Sequence, residues 1–352
     1  MVQALPGAVL LPVAAVAING APVRVTLGQH LPLTARGQQI EHGIEALAQA
    51  DGARATSGFG RRQQIFDNLP LSVCQVSAIS LVVHTLNLPK GVTDRYCLDF
   101  SNCFLVVQTV LMPLVQAAGV SKVTVTGGTH VPHSPPVEYL EAVYISALRR
   151  MGLDVTVTYT AAGFYPRGGG QIEVEIHGPA VPAPLNLSER GRLKKLQAFV
   201  ITSNLPEHVA ERGAATVERA MKAVGRNIVI ERRAQPSPGP GAAVVVAAEC
   251  DAGWAAFTGI GELRRPMEKV AEAPCKEFMR WWKSGAACDE HLADQLVLSL
   301  CFANGLSCWT TPVVTEHLRT VLQVAQRFLS LEVNIEEHDG GSGAVTLQKS
   351  LA

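Results

Sequence analysis

The clearest alternation of hydrophobic and polar residues lies in two segments between Asp154 and Ile176. The hydrophobic positions are Val155, Val157 and Tyr159 in DVTVTYT, and Ile172, Val174 and Ile176 in QIEVEI. A period of two residues is typical of a strand with one buried face. We therefore predict two strands joined as a hairpin with a long connection.

The connection, GFYPRGGG, ends in three consecutive glycines, Gly168, Gly169 and Gly170. Glycine adopts positive φ and lets another backbone approach closely. One interpretation is a tight turn packed on a neighbouring element, and the other is a phosphate cradle of backbone N–H groups. No Lys-Ser or Lys-Thr follows, and the glycines open a strand rather than a helix. The Walker and dinucleotide patterns are therefore not matched, and the residues favour the structural interpretation.

Strand and helix patterns alternate along the rest of the chain, which predicts an α/β (α+β) fold of repeated helix-and-sheet units. The predicted elements include a strand at Pro22–Leu27, a helix ending at Gly52, an apolar helix within Phe104–Val120, and helices at Pro135–Met151, Glu290–Asn304 and Thr315–Leu331. A Pro-rich and then basic stretch follows Pro179. We predict a main domain formed by residues 1–187 and 275–352, with a small inserted α/β domain at 188–274.

The composition is that of a packed globular protein, with 47% hydrophobic and 17% charged residues among 352. Thirty basic and thirty acidic residues cancel, so a nucleic-acid contact would have to be a local patch. We expect no signal peptide and no membrane span, because the apolar runs are short or interrupted. The eight cysteines form no CxxC pair, which indicates reduced core thiols in the cytoplasm and neither disulfides nor a zinc site.

Three polar groups stand out by their spacing. His291, Asp294 and Gln295 share one face of a predicted helix, where they form either a functional cluster or a solvated first turn capped by Asp289 or Glu290. His317 lies in the first turn of a helix that Thr315 can cap, where the helix dipole favours a neutral imidazole. A loop with Thr129, His130, His133 and Ser134 joins a strand to the Pro135 helix, a place where α/β proteins bind ligands.

Together these segments resemble the RNA 3′-terminal phosphate cyclase family. The resemblance is carried by GFYPRGGGQIEVEI, LVVQTVLMPLV, GGTHVPHSPPVEYL, LNLSERG, HLADQLVL and the His317 helix, in family order. It covers roughly Val106 to Leu329 and extends more weakly to Pro22. It implies repeated helix-and-sheet units with a small inserted domain. It also implies ATP and Mg²⁺ as cofactors, an RNA 3′-phosphate end as substrate, and a covalent histidine-AMP that leads to a 2′,3′-cyclic phosphate.

The resemblance also assigns roles to residues. His317 falls on the family's nucleophile. The nucleotide-binding positions fall on Gln39, Gln108, Pro135, Tyr139, His291, Asp294 and Gln295, with His291 standing where the family often has Tyr. No residue is assigned to a metal.

The chain departs from the family pattern toward its N-terminus. Leu10 stands at an Arg position, the acidic residue has no counterpart, and only Arg36 lies near an expected Ala-Gly-Arg turn. Two hypotheses follow, an active cyclase and a catalytically inactive relative that binds RNA or acts in ribosome biogenesis. The first implies the cytoplasm, and a eukaryotic relative could also be nuclear or nucleolar. An enolpyruvyl transferase of similar architecture is a weaker third hypothesis, against which His317 and the triple glycine argue.

Overall fold

The computed structural model describes residues 93–132, 134–338 and 340–350. The first sheet is built on a parallel βαβ unit of β1 (Thr93–Asn102), α1 (Cys103–Gln116) and β2 (Gly119–Gly128). Strands β3 (Asp154–Ala161) and β4 (Gly170–Gly178) complete it in the order β1-β2-β4-β3. Between β2 and β3 the chain forms α2 (Val137–Tyr139), a π-helical turn (Leu140–Tyr144) and α3 (Ile145–Arg150).

The hairpin predicted from the alternating pattern is confirmed as β3 and β4. Val155 pairs with Ile176, and Val157 with Val174, in an antiparallel register. Ile172, Val174 and Ile176 are fully buried, as the period of two requires. The apolar helix predicted within Phe104–Val120 is α1, whose buried residues include Val107, Leu111 and Leu114. Helix α1 packs on β2 and β4 and covers one face of the first sheet.

The glycine turn before β4 is a site of close backbone approach, as the structural interpretation predicted. A Cβ at Gly163 would lie 2.2 Å from Gly127 O and 2.5 Å from Gly170 N. Gly168 and Gly169 have φ of 58° and 73°, in the left-handed region that glycine tolerates best. The N–H groups of Thr129 and His130 both donate to Gly163 O at 3.0 Å. The turn is thus packed against the loop that follows β2.

The second sheet has the order β7-β6-β8-β9 and carries two helices on one face. Its elements are β6 (Leu193–Ser203), α4 (Glu207–Ala223), β7 (Val229–Ala234), β8 (Gly241–Cys250), β9 (Trp254–Ile260) and α5 (Met267–Ser284). Strands β6 and β7 are parallel and joined through α4, a second βαβ unit. Val200, Val244, Val217 and Phe278 lie in the core between sheet and helices. The inserted domain at 188–274 stays a prediction, and its end at Pro274 falls within α5.

The third sheet, in the order β11-β12-β10-β5, supports the two C-terminal helices. Its elements are β5 (Asn186–Leu187), α6 (Glu290–Leu300), β10 (Ser307–Thr311), α7 (Glu316–Phe328), β11 (Leu331–Glu337) and β12 (Gly343–Lys349). Helices α6 and α7 pack together. Mixed sheets with covering helices confirm the predicted α/β class. No helix in the described ranges has both the length and the apolar character needed to cross a membrane.

Candidate active site

His317 and Asp294 meet where α7 begins beside α6. His317 Nδ1 lies 2.9 Å from Asp294 Oδ2. The imidazole is 64% exposed, whereas the Asp294 side chain is 11% exposed. The contact therefore holds one edge of the ring against the protein and leaves much of the ring open to solvent. These two residues were assigned to the site from the sequence, and the fold brings them together.

The position of His317 follows from the local capping of α7. Thr315 is the N-cap, and its hydroxyl oxygen accepts a hydrogen bond from Leu318 N at 3.1 Å. This satisfies one of the backbone donors that a helix N-terminus leaves free. Leu318 and Leu322 are buried, which fixes the rotation of the helix. His317, next to Leu318, is thereby placed in the first turn of α7.

The contact with Asp294 fixes the proton arrangement of the neutral imidazole. A carboxylate only accepts hydrogen bonds, so Nδ1 carries the proton and Nε2 keeps a free electron pair. The hydrogen bond to Asp294 raises the pKa of His317 above its ordinary value, although partial burial opposes this. The helix dipole favours a neutral ring, whereas the Asp294 carboxylate favours the protonated one. The result is a more basic Nε2.

Gln295 follows Asp294 in α6 and is hydrogen-bonded to Gln108 of α1. Gln108 Nε2 of α1 donates to the backbone oxygen of Gln295 at 3.4 Å. The Gln295 side chain is buried, and its Oε1 has no hydrogen-bond partner among the described residues. A buried acceptor without a partner is costly, and a bound donor group would relieve that cost. Gln295 Oε1 is therefore a buried acceptor, unsatisfied by the described residues, next to Asp294 in α6.

The other predicted nucleotide contacts lie in different environments. His291 is 62% exposed in the first turn of α6, with Nε2 3.8 Å from Glu290 Oε1. Pro135 is partly buried just before α2. Tyr139 is 1% exposed, and its hydroxyl donates to Asp289 Oδ1 at 2.9 Å. Its ring therefore offers no open face on which a base can stack. Gln39, Arg36 and His133 lie outside the described residues.

The sequence did not reveal a buried polar chain that joins the glycine turn to α2. Gly163 N donates to Thr129 Oγ1 at 2.8 Å, Thr129 Oγ1 lies 2.9 Å from His130 Nδ1, and His130 Nε2 lies 2.8 Å from Glu138 Oε2. Arg233 Nη1 of β7 lies 3.5 Å from Glu138 Oε1. Burial alone would raise the pKa of Glu138, but His130 and Arg233 outweigh it and hold that pKa below its ordinary value.

The described residues do not provide a protein-held metal site. None of their His, Cys, Asp and Glu side chains form a group of three or more that could hold a metal ion. Mg²⁺ prefers an octahedral set of oxygen ligands, and Asp294 is already engaged with His317.

Comparisons with known proteins identify the family of the chain. The family model for RNA 3′-terminal phosphate cyclase matches residues 84–335, a range that includes His317, Asp294, Gln295 and Gln108. The chain belongs to the RNA 3′-terminal phosphate cyclase family. The fold class expected from the resemblance, and the family itself, are thus confirmed.

Three relatives, each named RNA 3′-terminal phosphate cyclase, show the extent of the similarity. The protein of Trichormus variabilis is 39% identical over 224 residues, which cover 64% of this chain and 64% of the relative. That of Nostoc punctiforme is 37% identical over 326 residues, covering 92% of this chain and 90% of the relative. That of Pseudomonas fluorescens is 38% identical over 292 residues, covering 82% and 79%. The match to the first of these spans less than two thirds of that relative.

Proposed function

We propose that this protein is an ATP-dependent enzyme that converts an RNA 3′-phosphate into a 2′,3′-cyclic phosphate through a covalent adenylate on His317. The observation that carries the proposal is the 2.9 Å contact of Asp294 Oδ2 with Nδ1 of a largely exposed His317. Membership of the family, together with the names of the relatives, supports the choice of ATP and RNA as substrates. We also propose a cytoplasmic location, as expected from the sequence.

The first step uses His317 as a nucleophile. Nε2 donates its electron pair to the α-phosphorus of ATP, an N–P bond forms, and the bond from that phosphorus to the oxygen bridging to the β-phosphate breaks. Pyrophosphate leaves with the electron pair of the broken bond. Asp294 stabilises the ring while it gains positive character, as the third member of a catalytic triad does. Gln295, which follows Asp294 in α6, is the neighbouring position proposed to contact the nucleotide.

The later steps transfer the activated group to RNA. An oxygen of the RNA 3′-phosphate attacks the phosphorus of the adenylate, the N–P bond to His317 breaks, and His317 regains its electron pair. The neighbouring 2′-hydroxyl then attacks the RNA phosphorus, loses its proton and displaces AMP. Covalent catalysis of this kind divides one difficult phosphoryl transfer into easier steps.

The test is covalent labelling with ATP that carries a radioactive α-phosphate, with MgCl₂ in the buffer. We expect an acid-labile, base-stable label on the wild-type chain and none on His317→Ala. The matched control is His208→Ala, because His208 is exposed and follows Glu207 in the first turn of α4, as His317 follows Glu316 in α7. His208→Ala should label like the wild type.

A second assay follows a synthetic RNA with a 3′-phosphate and measures the resistance of its end to phosphatase. Cyclised ends resist, and we expect resistance only with ATP and an intact His317. A wild-type chain that takes no label and leaves the RNA end sensitive would overturn the proposal. Retained RNA binding in that case would favour the alternative of a catalytically inactive RNA-binding protein.

A further inference from the structure

Tyr139 and Asp289 form a buried hydrogen bond where α2 meets the start of α6. Tyr139 OH donates to Asp289 Oδ1 at 2.9 Å. Both residues are 1% exposed, so neither can touch a substrate. Tyr139 was expected to contact the nucleotide, and its burial points to another role.

Asp289 collects hydrogen bonds from three elements at once. Oδ1 accepts from Tyr139 OH and, as the N-cap of α6, from the N–H groups of His291 and Leu292 at 2.9 and 2.8 Å. Oδ2 accepts from Ala256 N of β9 at 3.1 Å. Burial raises the pKa of Asp289, while His291 and these hydrogen bonds oppose the shift. The side chain thus fixes the start of α6 to both α2 and β9.

The start of α6 lies close to the reacting histidine. Asp294 follows Asp289 by five residues, which corresponds to about 7.5 Å along a helix. A change in the position of the N-terminal turn is therefore transmitted through little more than one helical turn to Asp294 Oδ2. The 2.9 Å contact of that oxygen with His317 depends on this position.

We propose that Tyr139 and Asp289 are a positioning pair, which sets the first turn of α6 so that Asp294 holds His317 in the orientation for attack. The role of this pair in catalysis rests on the proposed adenylation of His317. The effect of the pair on the contact between Asp294 and His317 does not rest on adenylation, and it can be measured without ATP.

The experiment compares Tyr139→Phe with Tyr144→Phe. Each substitution removes one hydroxyl from a fully buried tyrosine of the same helical segment, and both rings pack against Phe104. The Tyr144 hydroxyl interacts with Ser299 near the end of α6, whereas that of Tyr139 bonds Asp289 at its start. The first readout is the pKa of His317 from an NMR titration, with the His317 signal assigned by its loss in His317→Ala. The second is the single-turnover rate of adenylation at saturating ATP, with the Kd for ATP.

We expect Tyr139→Phe to lower the pKa of His317 toward its ordinary value, because the contact with Asp294 loosens. We also expect the adenylation rate to fall about tenfold, with the Kd for ATP changed less than about threefold. Tyr144→Phe should leave both readouts at the wild-type values even where its thermal stability falls equally. Should Tyr139→Phe not fold, Asp289→Asn tests the other anchor of the same side chain, since its oxygen retains the cap and the bond from Tyr139 while its amide nitrogen places a donor against Ala256 N–H.

Two results overturn the positioning pair. One is an unchanged His317 pKa in Tyr139→Phe or Asp289→Asn, and the other is an equal effect of Tyr144→Phe, which would indicate general loss of stability. A wild-type chain that forms no adenylate removes the proposed function but leaves the NMR comparison decisive for the pair.

Discussion

Replacing Asp294 with Asn tests how the carboxylate acts on His317. The amide is nearly isosteric and still offers an oxygen to Nδ1–H, but it carries no charge. Because the hydrogen bond to Asp294 is what raises the pKa of His317, we expect that pKa to fall toward the ordinary value of about 6.5. In the proposed adenylation the nucleophile is the neutral ring, so the rate should rise with pH through this pKa. The acid limb of the rate profile should therefore move to lower pH in the variant.

The plateau rate should fall at the same time. In the serine protease triad, the same change from carboxylate to amide costs about 10⁴-fold, because the neutral partner can turn and stabilise the wrong tautomer. Here the imidazole is 64% exposed, and solvent screens the lost charge. We therefore expect a smaller loss, on the order of 10²-fold in the adenylation rate at high pH. The variant should lose less at low pH than at high pH, since its ring is neutral over a wider range.

The assay is single-turnover formation of the radioactive adenylate at saturating ATP, between about pH 5 and pH 9, a range that brackets the ordinary pKa of His. Glu290→Gln is the control, because Glu290 is an exposed carboxylate of α6 beside His291 and is not in contact with His317. It should keep both the plateau and the acid limb. A variant profile whose acid limb stays in place or moves to higher pH would refute the assignment of the raised His317 pKa to Asp294.

Three further predictions concern the framework of the site. Gly163→Ala should lower the free energy of unfolding by about 3 kcal/mol, because its Cβ would meet backbone atoms at 2.2 and 2.5 Å. Gly168→Ala, with no atom nearer than 3.8 Å, should cost only the left-handed strain of about 1 kcal/mol. Urea unfolding of the two variants compares these free energies. Thr315→Ala should cost about 1 kcal/mol through the lost cap of α7, seen as a lower Tm, with normal stability in Thr315→Ser. Arg233→Ala should cost about 3 kcal/mol at pH 7 by leaving the buried Glu138 carboxylate less compensated. The pKa of Glu138 is held below its ordinary value, so the stabilisation by the ionised carboxylate is present above about pH 4.3 and is lost as the pH falls further. A difference in the free energy of unfolding between Arg233→Ala and wild type that grows below about pH 4 would contradict this.

Local patterns in the sequence predicted the elements whose determinants are themselves local. The alternation in Ile172, Val174 and Ile176 was sufficient to identify β4, because one face of that strand is fully buried. Thr315 and Asp289 were recognisable as helix caps because a short polar side chain before an apolar run satisfies free N–H groups. Predicted helix ends differ from the observed ones by a few residues, as at Leu300, where the predicted helix continued to Asn304.

The contacts that define the site join residues far apart in the chain, and no local pattern encodes them. Tyr139 and Asp289 are separated by 150 positions, and Gln108 and Gln295 by 187. The link from His130 through Glu138 to Arg233 also crosses from the loop after β2 to a strand of another sheet. Each depends on how helices and sheets pack. A Tyr next to a Pro-rich loop carries the same local signal whether its ring is exposed to a ligand or buried against a carboxylate.

His208 and His317 show why local sequence alone could not select the histidine that we propose as the nucleophile. Each is the second residue of a helix and follows a glutamate, so the helix dipole acts on both in the same way, although only the helix of His317 has a side-chain cap. What differs is the neighbour that the fold supplies. Helix α6 presents Asp294 to His317 at 2.9 Å, and that helix is held at its start by Asp289, which bonds α2 and β9. A resemblance that extends over many ordered segments carries this tertiary information, because each matched segment supplies one part of the packing that brings Asp294 to His317. The reactivity assigned to His317 is therefore a property of the packed helices, and substitutions at buried residues such as Asp289 should change it as measurably as substitutions at the site itself.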